Sequence, residues 1–190
     1  MRRISSPAHF SFCRRYSHIV MESSYVTCDL QFLRGADGHL VLKEFSVYFP
    51  QSDVGKTVTF LPPYDEHTLS HEQRRQNRYV TGFIHGMGWS SGEYPYSSVT
   101  NKVREMLAGK CMVYVKGAEK VKFLQPLAPF NTFVVNIECE GCPQLKRLPR
   151  LFVENHGVNT HSVVPLQSCA ALNAKRIGLW MEFMNATNKK

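Results

Sequence analysis

Tyr25–Leu33 reads YVTCDLQFL, Leu40–Phe49 reads LVLKEFSVYF, and between them stands Arg34-Gly35-Ala36-Asp37-Gly38. Both flanking runs are rich in β-branched and aromatic residues, and the cluster between them holds an Asp-Gly pair. The stretch therefore reads as a β-hairpin. Thr57–Leu61 (TVTFL) is a third short strand, stopped by Pro62-Pro63 because proline has no backbone donor for a strand interior. Consecutive strands joined by short turns run antiparallel.

Beyond Pro63 the pattern changes. Ser70 followed by Gln73 is a capping-box pair, and it opens a helix that runs to about Ile84. Gly86, Gly88, Gly92 and Pro95 make the next stretch a loop, and Ser97 or Ser98 caps a helix ending near Gly109. Cys111–Val115 (CMVYV) and Phe133–Ile137 (FVVNI) are apolar runs of the kind found in strands buried on both faces. A helix from Ala118 to Leu124 separates them. Pro143–Leu148 suits a short helix, and residues 149–167 are irregular. Ser168–Phe183 closes the chain as an amphipathic helix, with Ala171, Ala174, Ile177 or Gly178, and Met181 at helical spacing. The order implies an α/β domain: a mixed sheet of three antiparallel strands then two parallel strands, with helices on both faces.

Length and composition set the scale. A chain of 190 residues with 43% apolar and 20% charged residues is an ordinary globular chain with one core, expected over 23–185. Residues 1–22 read as a disordered leader or a targeting segment, and 186–190 as a disordered tail. Arg2, Arg3, Arg14 and Arg15 with no acid give residues 1–20 the composition of a mitochondrial presequence. The alternative is that translation begins at Met21. No apolar run reaches the ~20 residues of a membrane span. Six cysteines without a secretory signal suit reduced thiols or metal ligands in an intracellular protein of cytoplasm or nucleus. The net charge of +8 favours an acidic partner, nucleic acid first, and +4 remains when the four leader arginines are set aside.

The element order resembles the ribonuclease H-like fold of the DEDD 3′–5′ exonucleases over roughly Tyr25–Phe183. Cys28-Asp29-Leu30-Gln31 stands where that family has Asp-x-Glu, Val113–Leu124 (VYVKGAEKVKFL) where it carries a third acid, and Ser168–Trp180 where it has a His and a final Asp. Asp29 keeps the first acid. Gln31 replaces the Glu, Lys120 falls near the third acid, Ser168 takes the His position and Asn173 the last Asp. Two-metal hydrolysis needs several carboxylates around ions roughly 3.5–4 Å apart, and Mg²⁺ favours charged oxygens. The resemblance thus implies vestigial positions at Asp29, Gln31 and Asn173. The chain also partly resembles the Maelstrom domain, which carries a Glu-Cys-His-Cys set. Glu44, His161 and Cys169 match it, while Val158 stands where that set has its first Cys.

Other residues carry weaker signals. Cys139-Glu140-Gly141-Cys142 is a C-x-x-C pair, and with His156 or His161 and Cys169 it makes a candidate Zn²⁺ site, with Glu44 or Cys139 as fourth ligand. Buried free thiols are the plainer reading. His71, Arg74, Arg75 and Arg78 share a helix face and suit phosphate contacts, or simply a solvated surface. Lys116 and Lys120, with Lys122, stand at the exonuclease-like cleft and suit a phosphate backbone. Trp89, Tyr94 and Tyr96 read as loop anchors or as base-stacking rings. Val54-Gly55-Lys56-Thr57 is not a phosphate loop, because Pro50 holds the place of its first glycine.

Two functions follow, with a structural zinc protein that has no nucleic-acid role as a third reading. The first is a degenerate exonuclease-like domain that binds single-stranded DNA or RNA, or a protein partner, without hydrolysis. The second is an active nuclease using Mg²⁺, with Asp29 and displaced ligands such as Glu44, Asp37 or Glu138.

Overall fold

The computed structural model describes residues 25–149, 151 and 169–188. The expected leader, most of the irregular stretch, His156, His161 and Ser168 lie outside them. Five strands form one mixed sheet: β1 (Tyr25–Arg34), β2 (Leu40–Phe49), β3 (Val54–Thr59), β4 (Met112–Val115) and β5 (Phe133–Asn136). Their order is β3-β2-β1-β4-β5. The β1–β2 and β2–β3 pairs are antiparallel, and β1–β4 and β4–β5 are parallel. The helices are α1 (His71–Val80), α2 (Val99–Met106), α3 (Ala118–Leu124) and α4 (Ala170–Asn188). This is the expected α/β sheet, with β1 at its centre. Among the described residues no helix is long and apolar enough to cross a membrane.

Alternation along β1 assigns the two faces, since successive side chains point oppositely. Val26, Cys28 and Leu30 join Phe45, Val47, Val113 and Val115 under Val103, Leu107 and Leu124 of the α2 and α3 region. Each such side chain contributes roughly 1.5–3 kcal/mol through burial. Tyr25, Thr27 and Asp29 face the other way, toward α4. There Thr27 Oγ1 donates to the Ala174 carbonyl at 2.7 Å, and Tyr25 clusters with Ile177 and Met181. Arg176 fastens the chain before α4 to that helix by donating to the carbonyls of Leu145, Leu148 and Pro149.

Three elements differ from expectation. β3 begins at Val54 and ends at Thr59 rather than spanning Thr57–Leu61; the regular ladder stops before Phe60, whose N–H still donates to the Lys43 carbonyl at 2.9 Å while its backbone bridges Tyr94. Gly92 permits that crossing: a Cβ there would stand 2.2 Å from the Phe60 carbonyl carbon. α1 stops at Val80 and continues as a π-turn, Thr81–His85. α4 runs on to Asn188, past Phe183 and into the expected tail.

Candidate functional site

Asp29 is the centre of the site. It lies one residue beyond the last β1–β4 pair, Cys28 with Val115, where β4 has ended and the side of β1 opens toward the start of α3. Its carboxylate is fully buried. Lys120 of α3 enters that opening and pairs its ammonium with Oδ1. Asn173 of α4 donates Nδ2–H to Oδ2 at 2.9 Å, and Gln31 donates Nε2–H to the same oxygen at a long 3.4 Å. The structure thus brings together Asp29, Gln31, Lys120 and Asn173. The carboxylate is surrounded by an ammonium and two amides, all of them donors. A metal ion needs acceptor oxygens in those places, and the ammonium already supplies the balancing positive charge.

Asn173 is buried, and its Oδ1 has no hydrogen-bond partner among the described residues. The amide orientation follows from Asp29: turning it would set oxygen against carboxylate oxygen.

Glu44 is opposite Gln31 across the β1–β2 ladder and is fully buried. Its Oε2 accepts from the Ala170 backbone N–H at 3.1 Å, and its Oε1 accepts from the Cys169 thiol at 3.8 Å. A carboxylate at the first turn of α4 is stabilised by the unsatisfied N–H groups there. Glu44 and Cys169 therefore meet, as the zinc expectation required.

The described remainder of that set, Cys139 and Cys142, does not join them. Cys142 packs with Tyr25, Tyr114, Ile177 and Met181, a cluster whose α4 members lie ~12 Å or more along the helix from Cys169. Burial pushes the Cys142 thiol up. Cys139 is exposed on the 3₁₀ turn after β5, and His161 lies outside the described residues. Among the described residues no three His, Cys, Asp or Glu side chains converge as a metal site. The displaced acids are also scattered: Asp37 is exposed in the β1–β2 turn, and Glu138 is paired with Lys116.

The expected phosphate contacts divide. Lys116 Nζ donates to Glu138 Oε1 at 2.9 Å and to the Cys142 carbonyl at 3.2 Å, with 10% of its side chain exposed. That contact, with the Asn136 amide, holds the Glu138 carboxyl below its ordinary range. Lys116 ties β4 to the turn after β5, and Lys120 neutralises Asp29, so neither is a free cation. Arg75 and Arg78 are exposed on α1 and Arg74 is half-buried; none is in a salt bridge among the described residues. Trp89 and Tyr96 are loop anchors: Trp89 Nε1 donates to the Tyr64 carbonyl at 2.9 Å, and the Tyr96 hydroxyl accepts from the Leu42 N–H at 3.3 Å. Tyr94 packs against the core, with Lys102 Nζ 4.6 Å from its ring centre.

Two features escape a reading of the sequence. Lys43 is the extra residue of a β-bulge, where the register slips between Gln31/Glu44 and Phe32/Leu42. The bulge sends its ammonium, fully buried, to the carbonyls of Phe60, Trp89 and Ser91 at 2.6–2.7 Å. Tyr79 and Phe83 are exposed; their place on the stripe of Arg75 was the available signal. Compared with protein-family models and with curated proteins, the sequence matches none.

Proposed function

We propose that this chain is a non-hydrolysing, exonuclease-like domain that binds nucleic acid. The observation that carries the reading is the closed Asp29 centre, where Lys120 and Asn173 occupy the carboxylate. The sheet order and the position of an acid on its central strand support the likeness to ribonuclease H-like exonucleases. The donors around that acid support the loss of metal chemistry. A phosphodiester cannot be cleaved by paired metals without several anionic oxygens to hold them. The net charge of +8 and the unpaired arginines of α1 support a polyanionic partner.

The test is incubation of the full chain with end-labelled single-stranded DNA and RNA in Mg²⁺ and in Mn²⁺. The expected result is intact strands that nevertheless co-migrate with the protein at low salt. Cleavage that disappears in Asp29→Ala would overturn the reading in favour of an active nuclease.

A further inference from the structure

His71, Arg75, Tyr79 and Phe83 recur every four residues along α1 and its π-turn, a spacing that stacks side chains on one face. All are exposed. Tyr79 is 60% and Phe83 70% exposed, with Ile84 at 40% beside them. The two rings lie against each other, centroids 5.1 Å apart and tilted by 35°. Single exposed apolar side chains carry no message; paired rings standing in water beside guanidinium groups form a patch that calls for a partner.

The platform is held firmly. The Asn77 side chain accepts from the Arg34 N–H at 2.7 Å and donates to the Arg34 carbonyl at 2.8 Å, clamping α1 to the end of β1. His85 Nε2 lies 3.1 Å from the Phe32 carbonyl, and Thr81 Oγ1 donates to the Met87 carbonyl at 2.8 Å. The π-turn that presents Phe83 is thus anchored at both ends. Such turns recur at functional sites.

We propose that this stripe is a contact surface for single-stranded nucleic acid, with bases stacking on Tyr79 and Phe83 while Arg75 and Arg78 hold phosphates. The inference rests on the nucleic-acid reading above and names its surface. Charge selects the occupant: exposed Arg75 and Arg78 complement a polyanion, and the chain's own first twenty residues, with four arginines and no acid, offer no such complement. The rings project from the surface, and the cavity lined by Leu61, Pro62, Pro63, Pro95, Tyr96 and Ser97 includes no residue of α1. Flat rings beside cations fit unpaired bases, which offer a π-face that duplexes keep covered.

The experiment is fluorescence anisotropy of the full chain with labelled oligo(dT), oligo(U), a duplex and poly-glutamate, across a salt series. Tyr79→Leu/Phe83→Leu keeps apolar bulk and removes the π-faces. It is expected to weaken single-strand binding by about tenfold or more, with an unchanged circular-dichroism melt. Arg75→Ala/Arg78→Ala is expected to flatten the slope of log K against log salt by about 1.4, or about 0.7 per lost contact. Unchanged single-strand affinity in both variants overturns this surface while leaving the functional reading intact. Absence of single-strand binding by the wild type overturns both. Equal affinity for the duplex, or binding of poly-glutamate alone, overturns the assignment to single strands.

Discussion

Asp29 and Lys43 show how the cost of a buried charge is met in opposite ways. Asp29 is balanced by an ion pair; Lys43 is balanced by three carbonyl dipoles. Removing one member of a buried pair leaves the other uncompensated, which costs about 3–5 kcal/mol, whereas replacing both can be neutral. Lys120→Ala is therefore expected to destabilise by about 3 kcal/mol, the lower end because Lys120 keeps 22% of its side chain exposed. Asp29→Asn/Lys120→Met is expected to recover most of that loss in urea unfolding. Equal losses in the single and double variants would show that the pair is not the source. For Lys43, burial lowers the ammonium from its ordinary 10.5 to about 8. Between those values the unfolded chain holds a proton that the folded chain has released, so this residue makes stability rise with pH across that window. Below it both states are protonated, and the folded state carries the part of the burial cost that the three carbonyls leave uncompensated. Buried thiols such as Cys28, which burial pushes up, act in the opposite direction at alkaline pH, so the residue must be isolated by substitution. Lys43→Met strands the three carbonyls at roughly 1–3 kcal/mol each. Its deficit against wild type is expected to widen as pH rises from about 8 toward 10. A deficit constant with pH would refute the linkage.

Elements were legible where local chemistry decides them. The Ser70–Gln73 capping box forms in both directions, with Ser70 Oγ accepting from the Gln73 N–H and Gln73 Oε1 accepting from the Ser70 N–H. α3 spans Ala118–Leu124 as expected. The end of β3 and the bulge were not legible, because both involve partners distant in sequence: Phe60 bridges Tyr94, and Lys43 is turned toward carbonyls 17 to 48 residues away. The site divides the same way. Asp29, Gln31 and Asn173 could be placed from strand and helix order, but that Lys116 would be spent on Glu138 depended on the turn after β5. Packing of α4 shows one such long-range constraint. Gly178 faces Tyr48 of β2, and a Cβ there would stand 2.5 Å from the ring. Helix propensity favours Gly→Ala by about 1 kcal/mol, but forcing bulk into a filled contact costs typically about 1–3 kcal/mol. Gly178→Ala is therefore expected to lower the melting temperature. Gly82 has nothing within 4 Å of its added Cβ, so Gly82→Ala serves as the control. A rise in melting temperature at position 178 would mean that the α4–β2 contact is looser than described.

At the scale of the whole molecule, net charge and available charge are different quantities. The chain carries +8, yet Lys43, Lys116, Lys120 and Arg176 point inward to carbonyls and carboxylates. Counterion release on a single strand contributes about −0.7 to the salt slope for each phosphate contact. Five contacts from Arg74, Arg75, Arg78, Lys116 and Lys120 would give a slope near −3.5, whereas the three α1 arginines alone give about −2. The stacking rings add affinity without adding to the slope, because a base carries no counterions. Weak but salt-resistant residual binding at high ionic strength is the expected consequence. The measurement is a salt titration of oligo(U) binding by wild type and by Lys116→Ala, which opens a partly exposed clasp rather than the buried Asp29 centre. Wild type is expected near −2, and Lys116→Ala is expected to share its slope. A slope near −3.5 that falls by about 0.7 on removing Lys116 would show that the Glu138 pair opens to nucleic acid, and that the binding surface extends past α1 to the end of β4.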